Sequence, residues 1–287
     1  MRLWAEDNKP REGDEHTIML FGINDLPLID DAPPAHDRFF VIGTGRTGTT
    51  VFGKILSQHP DCWCGNECEV ISSLVNLLTT TCVQSISSPG FLGIRTDRRD
   101  DRTWPEGEEA VWRTSEIREM CEVWCRKEGE RYGASVIGDK SSMYLGIRDM
   151  VRRVFPGCTF FMTTRHPLDQ MSSYMDQPWN VAIKDDGTEE SLRKAYNWLL
   201  YRLKVDEIAS SEADVQLVHF EDFGDEGRLQ GVMAASWEQL GLSAPDVDLR
   251  GFVRADPIGR WRSDERVMHI LSGFEKLGLE IPEWIIA

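Results

Sequence analysis

The chain has 287 residues, of which 48 are Asp or Glu and 32 are Lys or Arg, for a formal net charge of −16. Ten Trp and twelve Phe supply enough core material to exclude a disordered chain. The negative field excludes a protein whose whole surface grips nucleic acid, and no apolar run reaches the ~18–20 residues of a bilayer span.

The first sixteen residues, MRLWAEDNKPREGDEH, lack the apolar stretch of a secretory signal, so a cytoplasmic setting is expected. The seven cysteines are then read as reduced thiols, and no metal site is expected from them. Cys62, Cys64 and Cys68 are clustered, but their C-x-C-x₃-C spacing matches no structural zinc module.

Residues 1–37 are polar and aperiodic and read as a lead-in segment, with 38–287 as one domain. The first strong strand is expected over Arg38–Gly43, followed by a Gly/Thr turn and a helix over Gly48–Ser57. A second helix is expected from Glu67 to Thr81, with Asn66 as N-cap and Glu69 completing a capping box. Residues 85–107 carry Pro, Gly and dense charge and read as a long functional loop. A helix over 108–131, a strand over 134–138, a helix over 145–154 and a strand over 158–164 follow. A long helix over 189–210, a strand over 215–220 and several short helices complete the chain. The strands are solid apolar runs alternating with helices. That pattern belongs to a single α/β domain with a central, mostly parallel sheet flanked by helices.

The sharpest local feature is FFVIGTGRTGTTVFGKIL. Gly43, Gly45 and Gly48 allow a tight turn off the strand, and the amides of Gly45 to Thr50 can converge on an anion at the helix start. The hydroxyls of Thr47, Thr49 and Thr50 add donors, and Arg46 adds a fixed charge. A Walker A loop needs G-x-x-x-x-G-K-[ST]; aligning Gly43 and Gly48 puts Thr49 where the lysine belongs. A P-loop small-molecule kinase is therefore the weaker alternative. A non-catalytic nucleotide-binding protein is the other.

The segment G-x-x-R-[ST]-G-T-T after a strand resembles the 5′-phosphosulfate loop of sulfotransferases that use 3′-phosphoadenosine 5′-phosphosulfate (PAPS). The resemblance implies PAPS as cosubstrate and adenosine 3′,5′-bisphosphate as product. In this family an arginine at a strand end and a serine eight residues later bind the 3′-phosphate. Arg165 and Ser173 match that spacing; the alternative is that Arg165 pairs with Asp169. Gly259, Arg260, Trp261 and Arg262 are similar to a Gly-x-Trp-[Lys/Arg] cluster that folds over the donor. The arginines would grip phosphate and the indole would stack on a purine. The alternative is a surface Trp among solubilising arginines. Glu221 and Asp222 match a structural E-D pair and are assigned no chemistry.

The acceptor side resembles a narrower group. SQHPDCWCGNECEVISSL is similar to the H-P-D-x-x-C-G-E-E stretch of tyrosylprotein sulfotransferases, matching at His59, Pro60, Asp61, Cys64, Gly65, Glu67 and Ile71. The match implies Glu67 as the base; His59 is its rival on chemical grounds. Lys140, in VIGDKSSMYLG, matches a family lysine near the transferring group, so Lys140 and Arg46 are expected to stabilise the transition state. Asn66 and Glu69 depart from the group's pattern, and Gly259 stands where it has a serine. The acidic excess opposes an acidic peptide, so a neutral hydroxyl is expected: a sugar, a phenol or another small alcohol, free or on a glycan. Oligomeric state is left open.

Overall fold

β1 (Arg38–Ile42), RFFVI, is buried at all five positions. It forms the middle of a parallel five-stranded sheet with β2 (Cys62–Asn66), β3 (Val136–Lys140), β4 (Thr159–Thr164) and β5 (Val215–His219), in the order β2-β3-β1-β4-β5. The computed structural model describes residues 30–68, 71, 73, 114–178, 180, 183–184, 186–210, 212 and 214–286.

Alternation along β1 separates two helical layers, because successive side chains of a strand face opposite sides of the sheet. Phe40 and Ile42 point to one core with Ile117, Cys121, Cys125, Val151 and Phe155. Those come from α2 (Thr114–Tyr132) and from around α3 (Arg148–Val154). Phe39 and Val41 face the other core with Phe52, Ile55, Phe223 and Trp237. That layer holds α1 (Thr49–Leu56) and α6 (Glu226–Gln239). A third cluster joins α4 (Pro167–Met175), α5 (Glu189–Ser210) and α7 (Glu265–Lys276) through Met171, Leu199, Ile270 and Phe274. α8 (Glu283–Ile286) ends the described chain.

β1 pairs with β3 on one side and β4 on the other. The strand order therefore reverses at β1, and ligands of such sheets bind in the crevice beyond the strands' carboxyl ends at that point. The expected α/β class is the observed one.

Two local expectations change. Cys62–Asn66 is a strand, not a lead into a helix, and Asn66 is its last residue, opposite Lys140. CWCGN is short and poor in β-branched residues, and as an edge strand it is only partly buried. Its pairing with β3 makes it a strand. Glu67 is accordingly not in the first turn of a helix. Ile71 and Ser73 are helical, while Glu69 and most of the expected 67–81 helix lie outside the described residues. So do the 85–107 loop and residues 108–113 of the next expected helix.

The residues ahead of β1 pack against later elements: Asp31 accepts from the Ser115 amide at 3.1 Å at the start of α2, and the Ala35 amide donates to Pro156 O at 2.6 Å.

Candidate active site

The carboxyl edge of the sheet collects the predicted residues. The 43–48 loop follows β1, Glu67 follows β2, Lys140 ends β3 and Arg165 follows β4. Gly48 sits at φ 97°, where a side chain is strained, and a Cβ there would lie 2.4 Å from Phe220 Cδ2. Arg46, at φ 72°, takes the same left-handed backbone without being glycine. Among the described residues the other non-glycine at positive φ is Glu67, at 56°. Such conformations persist where surrounding contacts hold them, and they cluster at functional sites.

Within the loop, Thr47 differs from expectation. Its side chain is fully buried, its hydroxyl donates to Thr44 O at 2.8 Å, and it lies 2.8 Å from Thr163 Oγ1. The hydroxyl is committed to the loop's own shape, which leaves the Thr47 amide for an anion. Thr49 and Thr50 open α1, Thr49 partly buried and Thr50 exposed.

Arg165 meets the loop directly. Its Nη1 donates to Arg46 O at 3.3 Å and its Nη2 to Pro257 O at 2.8 Å, with the guanidinium 4.6 Å from the Phe220 ring centroid. Arg165 is buried, and its Nε is buried with no hydrogen-bond partner. Burial pulls its pKa down; Asp169 and Glu221 oppose that, and Arg260 and Arg46 add to it. The Asp169 pair considered from the sequence does not form. Asp169 instead accepts the amides of Gly259 at 2.6 Å and Trp261 at 3.0 Å. The second predicted residue, Ser173, accepts from Arg46 Nε at 3.1 Å. The two predicted anion sites are therefore one connected surface.

The 259–262 cluster joins it from the C-terminal side. Arg260 Nε donates to Ser172 Oγ at 2.8 Å, and its Nη2 bridges to the Asp176 carboxylate. Ser172 donates to Asp264 at 2.6 Å. Arg266 also binds Asp264, and this hydrogen bonding holds the Asp264 carboxyl down at about 2. Trp261 departs from expectation. It is 4% exposed and lies in a core cluster with Leu168, Val267 and Ile285. His166 stacks parallel to it at 5.6 Å and Arg262 lies over its ring at 4.5 Å. The indole expected to meet a purine is covered by the protein itself.

The half of the site expected to face the acceptor centres on Glu67 and Lys140. Lys140 Nζ donates to Glu67 Oε1 at 2.6 Å; the lysine side chain is 4% exposed and the glutamate 55%. Three contacts fix the turn. The Glu67 amide donates to Lys140 O at 2.8 Å, the Cys68 amide to Asp139 Oδ1 at 3.3 Å, and Asn66 sits opposite Lys140. Gly65 is required by the same packing, since a Cβ there would be 2.5 Å from Asp139 Oδ1. Asp139 is fully buried and also accepts from Tyr144 Oη at 2.8 Å. Burial pushes its carboxyl above the usual range, with Tyr144 and backbone donors pulling the other way. The pair sets a half-exposed carboxylate beside a buried ammonium: a group able to take a proton next to one able to steady developing negative charge.

His59 has no free nitrogen for such a role. Its Nδ1 accepts from the Asp61 amide at 3.0 Å, so Nε2 donates to Ser243 O at 3.0 Å. Glu221 is structural as expected, accepting the His166 amide at 2.7 Å. The cysteines at 62, 64, 68, 121, 125 and 158 are free, and burial pushes Cys62, Cys121, Cys125 and Cys158 up to about 12. Among the described residues no group of three His, Cys, Asp or Glu side chains is placed to hold a metal ion. No described helix is long and apolar enough to cross a membrane.

Sequence reasoning missed one set of residues that the structure ties to the loop: Gln170, Arg202 and Asp206. The only local signal was that two are charged groups on a helix and the third is a polar residue inside an otherwise ordinary helix start.

No curated protein matches the chain. Solved structures similar to it include a sulfotransferase from Alicyclobacillus acidocaldarius, 18% identical, covering 89% of this chain and 100% of that one, with a TM-score of 0.45. The sulfotransferase domain from the curacin biosynthetic pathway is 13% identical and covers 88% of this chain and 100% of that one, with a TM-score of 0.50. Mouse sulfotransferase SULT7A1 complexed with PAP is 10% identical, with 86% and 85% covered and a TM-score of 0.41. The sequence profile of the Sulfotransferase family matches residues 38–244, the span that carries all five strands, the 43–48 loop, Glu67, Lys140, Arg165 and Ser173. This chain therefore belongs to the sulfotransferase family and is a transferase.

Proposed function

We propose that the protein transfers the sulfuryl group from PAPS to the hydroxyl of a neutral acceptor: a sugar, a phenol or another small alcohol. One observation carries the reading. Arg46 bridges to Ser173 while Arg165 holds the carbonyl of Arg46, so residues from two separate motifs form a single anion-binding surface. The orphaned, buried Nε of Arg165 suits a phosphate, since a guanidinium offers several fixed donors to an anion.

The proposed donor site comprises Gly45, Arg46, Thr47, Gly48, Thr49 and Thr50 on the phosphosulfate side and Arg165 and Ser173 on the 3′-phosphate side. Arg260, whose charge acts on Arg165, and Arg262 belong to that side, and Trp261 between them packs in the core cluster with Leu168. Glu67 takes the acceptor proton. Lys140 and Arg46 steady the negative charge that spreads over the sulfuryl oxygens and the leaving oxygen. The donor supplies the activated sulfuryl group, and no resident metal or cofactor has a role in this scheme.

A chain with net charge −16 disfavours an acidic acceptor, which supports a neutral one. The reading includes a reducing, cytoplasmic setting, supported by the free thiols.

The test is incubation with labelled PAPS and a panel of sugars, phenols, alcohols and tyrosine peptides. Label transfer to a neutral hydroxyl is expected. Binding of adenosine 3′,5′-bisphosphate without turnover on any acceptor would leave a non-catalytic nucleotide-binding protein. Preference for ATP over PAPS would make it a kinase. Transfer confined to acidic peptides would overturn the acceptor assignment.

A further inference from the structure

We propose that Gln170, clamped by Arg202 and Asp206, is a positioning residue that sets the anion-binding shape of the 43–48 loop. The inference rests on the donor site proposed above and adds to it a support that touches no ligand.

Gln170 lies on α4 and is fully buried. Its Nε2 donates to Thr44 Oγ1 at 2.7 Å and to the carbonyl of Gly45. On its other side its Oε1 accepts from Arg202 Nε. Arg202, on α5, is 1% exposed and passes the chain on to Asp206 through Nη1. A guanidinium can only donate, so the amide oxygen of Gln170 must face Arg202 and the NH₂ must face the loop. The orientation of this amide is thus dictated by charge chemistry two helices away from β1. A reversed amide would set its oxygen against the Gly45 carbonyl and its NH₂ against Arg202.

The consequence for the loop follows from peptide geometry. In a planar trans peptide the C=O and the N–H of the next residue point in opposite directions. Three successive loop carbonyls are held by side chains. Thr47 Oγ1 takes Thr44 O at 2.8 Å, Gln170 takes Gly45 O, and Arg165 takes Arg46 O at 3.3 Å. The N–H groups in those same peptide planes belong to Gly45, Arg46 and Thr47. They are aimed away from the clamps, in the manner of an anion nest. Thr47 and Arg165 already have places in the proposed donor site. Gln170 acts only on the loop. It also holds the peptide that joins Gly45 to Arg46, and the left-handed backbone of Arg46 at φ 72° needs outside contacts to persist.

The test uses the full chain and four measurements. Gln170→Glu keeps size and strengthens the pairing with Arg202 but removes both donors facing the loop. Its melting temperature is expected to change little, because the charge pairing gained with Arg202 offsets the oxygen now set against the Gly45 carbonyl. Its affinity for adenosine 3′,5′-bisphosphate is expected to fall about tenfold at pH 8, the effect of losing the hydrogen bonds that shape the loop. Relative to wild type, the affinity should recover as pH falls, because the protonated carboxyl regains one donor. Gln170→Met is the second variant, and should speed amide hydrogen exchange at Gly45–Thr47 in the ligand-free protein. Asp206→Asn, at the far end of the chain, should weaken affinity less than either. Wild-type affinity in both Gln170 variants would overturn the proposal. So would unchanged exchange at Gly45–Thr47, or a loss that follows melting temperature and shows no recovery at low pH. If wild type itself fails to bind the bisphosphate, the donor reading falls, and the exchange measurement still decides the role of Gln170.

Discussion

Lys140 and Glu67 are adjacent across the carboxyl ends of β3 and β2, with the ammonium donating to the carboxylate at 2.6 Å. They lie 73 positions apart in the chain, and one is buried while the other is half-exposed. The buried member is held by the sheet, and the exposed member can turn toward a substrate. Glu67→Gln keeps the hydrogen-bonding oxygen for Lys140 but cannot take a proton. Turnover should fall by on the order of 10²–10⁴, while calorimetric affinity for adenosine 3′,5′-bisphosphate stays near the wild-type value. Full turnover in this variant would remove Glu67 from the chemistry.

The rival base makes the opposite prediction. Both nitrogens of His59 serve the fold, one with Asp61 and one with Ser243. His59→Ala should cost about 1–3 kcal/mol of stability, since buried polar groups lose partners. Turnover per folded molecule should not change. A large fall in turnover with normal melting would assign the proton transfer to His59 instead.

Arg165 offers the cleanest test of the donor site. Its guanidinium is buried with an unpartnered Nε and, among the described residues, no carboxylate in ion-pair contact. Arg165→Ala should weaken adenosine 3′,5′-bisphosphate binding by on the order of 2–4 kcal/mol. Adenosine 5′-monophosphate, which lacks the 3′-phosphate, should lose much less. Equal losses for both nucleotides would show that Arg165 acts on the loop and not on the 3′-phosphate.

Gly48 tests the loop's backbone. An added Cβ would meet Phe220 at 2.4 Å and sit at φ 97°. Gly48→Ala should destabilise by about 2 kcal/mol or more, combining left-handed strain with overpacking. Urea unfolding measures it directly. A variant as stable as wild type would mean that the loop has room to move away from β5's extension.

Asp139 gives a pH prediction with a definite sign. Its folded pKa is raised above the ordinary 3.8, chiefly by burial. The folded state therefore binds this proton more readily than the unfolded state, so its contribution to stability falls as pH rises from about 4 through the folded value. Asp139→Asn removes that loss and still accepts from the Cys68 amide. The variant should be more stable than wild type at pH 7, with the advantage shrinking toward about pH 4. Denaturant midpoints at the two pH values check it, and an advantage that grows at low pH would contradict the sign.

The order of strands and helices was legible because it is written in short-range patterns. RFFVI and TFFMTT are short runs rich in aromatic and β-branched residues, which suit a buried parallel strand, and the 189–210 helix has the observed bounds. The Gly43–Thr50 loop was legible for the same reason: its proposed function depends on backbone angles and spacing within eight residues. β2 was not, because CWCGN becomes a strand only by pairing with residues more than seventy positions later.

The candidate site divides along the same line. Residue types and spacing in the loop marked Arg46, and the resemblance to sulfotransferases implied Glu67, Lys140, Arg165 and Ser173. Which of them touch was decided in three dimensions. Arg46 meets Ser173 across 127 positions, and Asp169 turns from Arg165 to the amides of Gly259 and Trp261. The Trp261 ring is covered by His166 and Arg262, and Gln170 reaches the loop from Arg202. Donor strength, charge and local backbone freedom are properties of a residue and its near neighbours, so sequence alone was enough to mark a candidate anion loop and a candidate base. Partnership depends on which elements the core brings side by side, and only the tertiary structure decided it.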